Sequence, residues 1–180
     1  MALPGLAVVT ASLLLAGSVT AQRSGNPAVP EPLKPVDLPR YLGRWHEFAR
    51  YDNRFERRCE AVTAEYFQRP DGLIGIVSTA RRRRPDGPAR VVTGRAKIIP
   101  GSGNAKWRVA FFWPFFWGHY WVLDHDDGYN WAVVGEPSGK YLWILTREVV
   151  PEIAVQELLV ARARALGFDT YRLHRTVQPA

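Results

Sequence analysis

From residue 41 onward the chain is a succession of short apolar and aromatic runs, each soon broken by Gly, Pro or Asp. Within the runs large side chains alternate roughly with polar ones, the period of a strand half-buried in a sheet. The first run is Tyr41–Tyr51, where Gly43 lets the backbone bend and Trp45 supplies a large apolar body that seeks burial. Seven more follow at Val62–Phe67, Leu73–Ala80, Arg90–Ile99, Lys106–Trp113, His119–Asp124, Tyr129–Gly135 and Tyr141–Arg147. The breaks at 70–72, 81–88, 100–104, 126–128 and 137–139 hold the Gly, Pro and Asp that tight turns need. Two breaks are wider, a charged loop at 52–60 and an aromatic one at 114–118.

Eight strands in a row, joined mostly by short turns, predict an up-and-down antiparallel meander. An open sheet of that length exposes two edges, and closure into a barrel removes them. A barrel of about eight strands has room for side chains plus one small ligand. The pattern changes at Pro151, after which Val155, Leu158, Leu159, Arg162 and Leu166 recur at helical spacing until Gly167. This predicts a helix with its apolar stripe on the outside of the barrel, then a short final strand within 168–177. The predicted fold is all-β: an eight-stranded up-and-down antiparallel β-barrel with one C-terminal α-helix.

Composition narrows the class without naming a ligand. With 47% hydrophobic and 23% charged residues, the 180-residue chain is globular and long enough for one domain with a substantial core. The net charge of +7 favours anionic partners or serves solubility. Cys59 is the single cysteine, which excludes an internal disulfide and a zinc–cysteine cluster. Leu6–Val19 is an apolar run too short to span a bilayer, and Val19-Thr20-Ala21 ends it as a small-x-small site. Residues 1–21 therefore read as an export signal, although no Lys or Arg precedes the apolar core; a misplaced start codon would explain that. Residues 22–37, with Pro27, Pro30, Pro32 and Pro35, read as an extended tether, and 38–180 as the barrel domain.

Four phrases in order carry a family resemblance: Tyr41–Arg50 with its Gly43-Arg44-Trp45, Arg54-Phe55-Glu56-Arg57, Val109–Phe115, and Tyr141–Arg147. With Gly167-Phe168-Asp169 behind the helix, the chain from about residue 37 resembles the lipocalins, and most closely the bacterial outer-membrane lipocalin group. The resemblance implies that Trp45 and Arg147, with Gly43 opening the strand, close the bottom of the barrel, guanidinium over indole. That pairing is structural; no residue is implied to be catalytic, and no cofactor or metal is implied. Two departures stand out. The leader lacks the lipobox cysteine of that group, which disfavours a lipid anchor and favours a periplasmic form associated with the outer membrane at most. The tyrosine common after the tryptophan is His46 here, on the face opposite Trp45.

Parity from Trp45 and Arg147 then assigns the interior. Val62, Ala64 and Tyr66 face in, as do Trp107, Val109 and Phe111, and Tyr141, Trp143 and Leu145. The resemblance adds Ile76, Ser78, Tyr120, Val122, Ala132 and Val134. Small Ala64, Ser78 and Ala132 leave space between aromatic walls, a lining suited to an acyl chain. Glu47 shares the inward parity and needs a partner that sequence does not identify. Arg54, Arg57, Arg58, Arg81–Arg84 and Trp113–Trp117 fall in loops at one mouth, a cationic and aromatic rim fitted to a phosphate head. The expected ligand is a fatty acid or lysophospholipid, bound, stored or carried in maintaining envelope lipid; monomer and homodimer both remain open. The rival readings are an isomerase-like enzyme using Cys59, a metal site among His119, Asp124, His125, Asp126 and Asp127, and an arginine-rich nucleic-acid binder.

Overall fold

The computed structural model describes residues 29–111 and 118–179. A single helical turn, α1 (Leu38–Tyr41), is capped by the Asp37 carboxylate and leads into β1 (Gly43–Tyr51). There follow β2 (Cys59–Gln68), β3 (Ile74–Arg82), β4 (Ala89–Ile98), β5 (Lys106–Ala110), β6 (Gly118–His125), β7 (Trp131–Gly135) and β8 (Leu142–Thr146). The chain ends with α2 (Ile153–Ala165), a 3₁₀ turn at Thr170–Arg172 and β9 (Leu173–Arg175). Neighbouring strands pair antiparallel in chain order from β2 to β8; β8 pairs with β1, and β1 returns to β2 to close the barrel. The expected architecture is thus observed.

Turn chemistry explains the connections. Asp71 accepts from the backbone of Leu73 at 3.1 Å, Asp126 from Asn130 and Trp131, and Glu136 from Ser138 and Lys140. Each carboxylate satisfies donors that a two-strand reversal leaves without a ladder partner. Gly43 adopts φ +94, so the chain swings from α1 into β1.

Apolar side chains form two layers. Trp45, Tyr66, Trp107, Val122, Val134 and Leu145 pack inside the barrel. Phe48, Leu123, Val133 and Ile144 pack outside it, beneath Leu159, Ala163 and Leu166 of α2 and its C-terminal end. Arg162 ties the helix down through a 2.8 Å ion pair with buried Asp124. The buried stripe is narrower than expected. Leu158 is 46% exposed, because the helix rests on an i, i+4, i+7 line through Leu159 and Leu158 lies about 100° from it.

The N-terminal approach is docked. Residues 29–37 form no regular element and bend at 33–34, yet Leu33 donates to Leu123 O at 2.9 Å and Val36 to Gly103 O at 2.8 Å, with Val36 buried. Lys34 adds a 2.8 Å ion pair to Asp127. Residues 1–28, which contain the leader, lie outside the described residues.

Candidate functional site

The closed end is sealed by one tryptophan and one arginine. Trp45 is fully buried, and the Arg147 guanidinium lies 3.8 Å from its ring centroid. Arg147 donates to the carbonyls of Tyr129, Arg44, Arg40, Tyr41 and Leu42 at 2.7 to 3.2 Å, so one side chain staples α1, the start of β1 and the β6–β7 turn. The Trp45 indole N–H donates to Tyr41 O at 2.8 Å.

Cross-strand partners share a face of a sheet. Trp45 is opposite Ala64, Ala64 opposite Ser78, and Tyr66 opposite Ile76. Around the other wall Trp107 faces Tyr120, Val122 faces Val134, Val134 faces Trp143, and Ala132 faces Leu145. These positions form one inner surface. Among them Tyr66, Ile76, Trp107, Val109 and Val122 are buried, while Ala64, Ser78, Tyr120, Tyr141 and Trp143 are only half-buried and Phe111 is 38% exposed. These six side chains of inward parity thus keep accessible surface, unlike the fully buried Trp45 and Trp107. Phe111 lies over Gly94, where an added Cβ would stand 2.7 Å from the ring. From the mouth downward Phe55, Tyr141 and Trp143 form an aromatic ladder, with centroids 6.4 and 5.7 Å apart, and the Trp143 N–H donates to Glu56 at 2.9 Å.

A β-bulge between Glu47 and Ala49 changes the phase of β1. Unbroken alternation would turn Arg50 outward and Tyr51 inward. Instead Arg50 comes opposite Trp143 on the inner face, and Tyr51 packs outside on Phe168 at 5.8 Å. Arg50 therefore meets Glu47, both fully buried, in a 2.6 Å ion pair. Thr176 joins them, donating to Glu47 and accepting from Arg50, and the second Arg50 nitrogen donates to the carbonyls of Glu56 and Cys59. Burial pushes the Glu47 carboxyl up to about 8, and the charge of Glu56 adds to the push; Arg50 and Thr176 pull it back. Burial also opposes the charge on Arg50, but Glu47, Glu56 and Glu60 outweigh it and its pKa rises. Arg50 and Thr176 are thus the partners that parity alone leaves unnamed. A carboxylate at inward parity demands a cation, and Arg50 is the nearest one a single bulge can deliver.

Above this network the rim arginines gather unevenly. Arg57, Arg58 and Arg83, with Arg50, Asp52, Glu60 and His174, line an open cleft of about 720 Å³ between the β1–β2 loop, the β3–β4 turn and the final strand. Arg83 donates its backbone N–H to Arg58 O at 2.6 Å, joining the two loops. Arg84 is engaged with Asp86 at 3.0 Å, and Arg81 reaches Gly87 O. Arg81 and Arg82 also belong to β3, so the expected turn begins two residues later than its charge run. The aromatic stretch 113–117 lies outside the described residues.

The remaining candidates are occupied otherwise. Cys59 is 4% exposed, and burial pushes its thiol pKa up against the pull of Arg50. His125 stacks on Tyr129 at 4.4 Å and bonds the carbonyls of Asp126 and Pro35; His119 contacts Arg108 at 2.7 Å on the outer wall. His46 lies on the outer wall opposite Thr63, its pKa lowered by partial burial and by Arg44. Among the described residues no group of three or more His, Cys, Asp or Glu side chains could hold a metal ion.

Comparison with known proteins agrees with this geometry. Residues 36–178 match the family model of the lipocalin-like domain. The chain is 37% identical to the outer membrane lipoprotein Blc of Vibrio cholerae over 83% of this chain and 89% of that protein. It is 36% identical to temperature-induced lipocalin-1 of Arabidopsis thaliana over 82% of each, and 35% identical to the Blc lipoprotein of Escherichia coli K12 over 98% and 97%. Among solved structures, insecticyanin of Manduca sexta superposes with a TM-score of 0.66 at 21% identity, covering 83% of this chain and 84% of that one. Apocrustacyanin C2 superposes at 0.63, also with 21% identity, covering 80% and 81%.

Proposed function

The chain belongs to the lipocalin family, and from that premise we propose that it holds a single-chain lipid, a fatty acid or lysophospholipid, with its tail in the barrel and its head at the arginine-lined mouth. One observation carries this reading: Ala64, Ser78, Tyr120, Trp143 and Phe111, of inward parity in a closed barrel, keep accessible surface, and Arg57, Arg58 and Arg83 line an open cleft among the loops at one end. The lining is then Ala64, Tyr66, Ile76, Ser78, Trp107, Val109, Phe111, Tyr120, Val122, Tyr141 and Trp143. An aromatic wall with few polar groups suits an alkyl chain, and the planar fork of arginine suits a phosphate or carboxylate. Binding rather than bond-breaking chemistry is favoured by Cys59, whose burial keeps the thiol neutral and so weakly nucleophilic. The relatives named outer membrane lipoproteins support a place in the cell envelope, reached through the leader at 1–21, for storage or transport of lipid there.

Changing Arg57, Arg58 and Arg83 together to Gln should weaken lysophospholipid binding by roughly a hundredfold, since three charge-assisted bonds to phosphate of about 1 kcal/mol each sum to about 3 kcal/mol. A neutral retinoid-like probe, which has no head for these side chains to hold, should bind the variant as it binds the original. Quenching of tryptophan fluorescence reads both affinities. Equal loss for both ligands would contradict the head-group role.

A further inference from the structure

Three phenols meet at the floor of the barrel, from elements far apart in sequence: Tyr41 in α1, Tyr66 in β2 and Tyr120 in β6. The Tyr120 oxygen is 2.7 Å from that of Tyr41 and 2.8 Å from that of Tyr66. Tyr41 and Tyr66 are buried, whereas Tyr120, opposite Trp107 on the inner face, is only half-buried. Burial raises the pKa of all three, so each oxygen carries its proton. Among the described residues three hydroxyl protons serve two hydrogen bonds, and however the hydroxyls rotate, one proton is left over. The neighbouring polar groups are already paired. The Trp107 N–H, beneath a ring stacked 5.1 Å from Tyr120, donates to Asn104 O, and the Tyr129 oxygen accepts from Asp37 N–H.

We propose that this tyrosine triad is a second polar subsite, at the buried end of the ligand, which donates a hydrogen bond to an acceptor oxygen on the far end of the chain. The preferred class is an acyl chain oxygenated near its ω-terminus, a hydroxy or keto acid, over a plain alkanoic acid. A methyl terminus leaves the surplus proton unpaired in a dry pocket, and an oxygen satisfies it. The assignment rests on the reading that the interior holds a lipid tail.

Calorimetric titration of the full chain with hexadecanoic, 16-hydroxyhexadecanoic and 15-oxohexadecanoic acids tests it. Both oxygenated acids should bind about 3- to 10-fold more tightly than hexadecanoic acid, the net worth of one buried hydrogen bond. The ketone is decisive because it can only accept, and this comparison needs no mutation. In the Tyr41→Phe, Tyr66→Phe, Tyr120→Phe triple variant the preference should vanish, the three acids binding with one common affinity. Equal affinities for the three acids in the unaltered protein would overturn the subsite while leaving the lipid reading in place, as would a preference that persists in the triple variant. Failure of all three acids to bind would overturn the lipid reading and the subsite with it.

Discussion

At about pH 9, where Glu47 is ionised, replacing Arg50 with Met is expected to destabilise the protein by about 3–5 kcal/mol, the cost of removing one partner from a buried charge pair. The guanidinium bonds Glu47 at 2.6 Å, Thr176 at 3.0 Å, Glu56 O at 2.9 Å and Cys59 O at 3.1 Å. It therefore joins β1, the loop after it, the start of β2 and the segment that follows β9. Methionine matches the stem and supplies none of these donors. Urea unfolding followed by tryptophan fluorescence measures the loss, and a cost below about 1 kcal/mol would show that the pair does not hold the mouth together. The double change Glu47→Leu, Arg50→Met should recover much of the loss, since apolar replacements of whole buried pairs are often neutral.

The same site makes stability depend on pH. The Glu47 carboxyl is raised from an ordinary 4.5 to about 8 in the folded protein. Between these values the folded chain holds a proton that the unfolded chain has released, so the contribution of Glu47 to stability is full below about pH 4.5 and is lost as pH rises through 8. The decline is on the order of a few kcal/mol. Glu47→Gln cannot titrate and can still accept from Arg50 and Thr176, so its stability should stay flat over that window. Parallel profiles for the two proteins would assign the titration elsewhere.

Truncating Trp45 to Ala should cost about 3–5 kcal/mol, the range for a fully buried aromatic residue. The loss has two parts. A cavity opens among Tyr41, Tyr66 and Trp107, and Arg147 loses the ring face beneath its guanidinium, which contributes about 0.5–2 kcal/mol. Arg147→Lys should not preserve the closed end. A lysine ammonium has three donors on a flexible stem, whereas Arg147 reaches five carbonyls from one rigid plane. Thermal unfolding of both variants, with hydrogen exchange at residues 40–44, reads the effect. A Trp45→Ala protein as stable as the original would remove the floor from this account.

The barrel was legible because its signals are local. Asp71, Asp126 and Gly139 mark reversals by their own chemistry, and alternation outward from Trp45 assigns most inner positions with no knowledge of neighbours. What stayed hidden depends on contacts between distant segments. The bulge beside Phe48 has no glycine to announce it, so the turn of Arg50 toward Glu47 emerges only from the register of β1 against β8. Thr176 reaches that pair because β9 lies along β1, a pairing of chain ends that no short window contains. Phe55 and Glu56 sit in a charged loop, and only the fold brings them over Tyr141 and Trp143. Val36 and Leu33 look like tether residues until Gly103 and Leu123 offer them backbone partners.

The central claim is that one single-chain lipid enters this barrel. Native mass spectrometry of the protein, purified without detergent and incubated with lysophospholipid, asks the question directly. One lipid in one barrel should give a spectrum that saturates at one lipid per chain. A spectrum of bare protein, or a ladder of adducts with no preference for one, would contradict it.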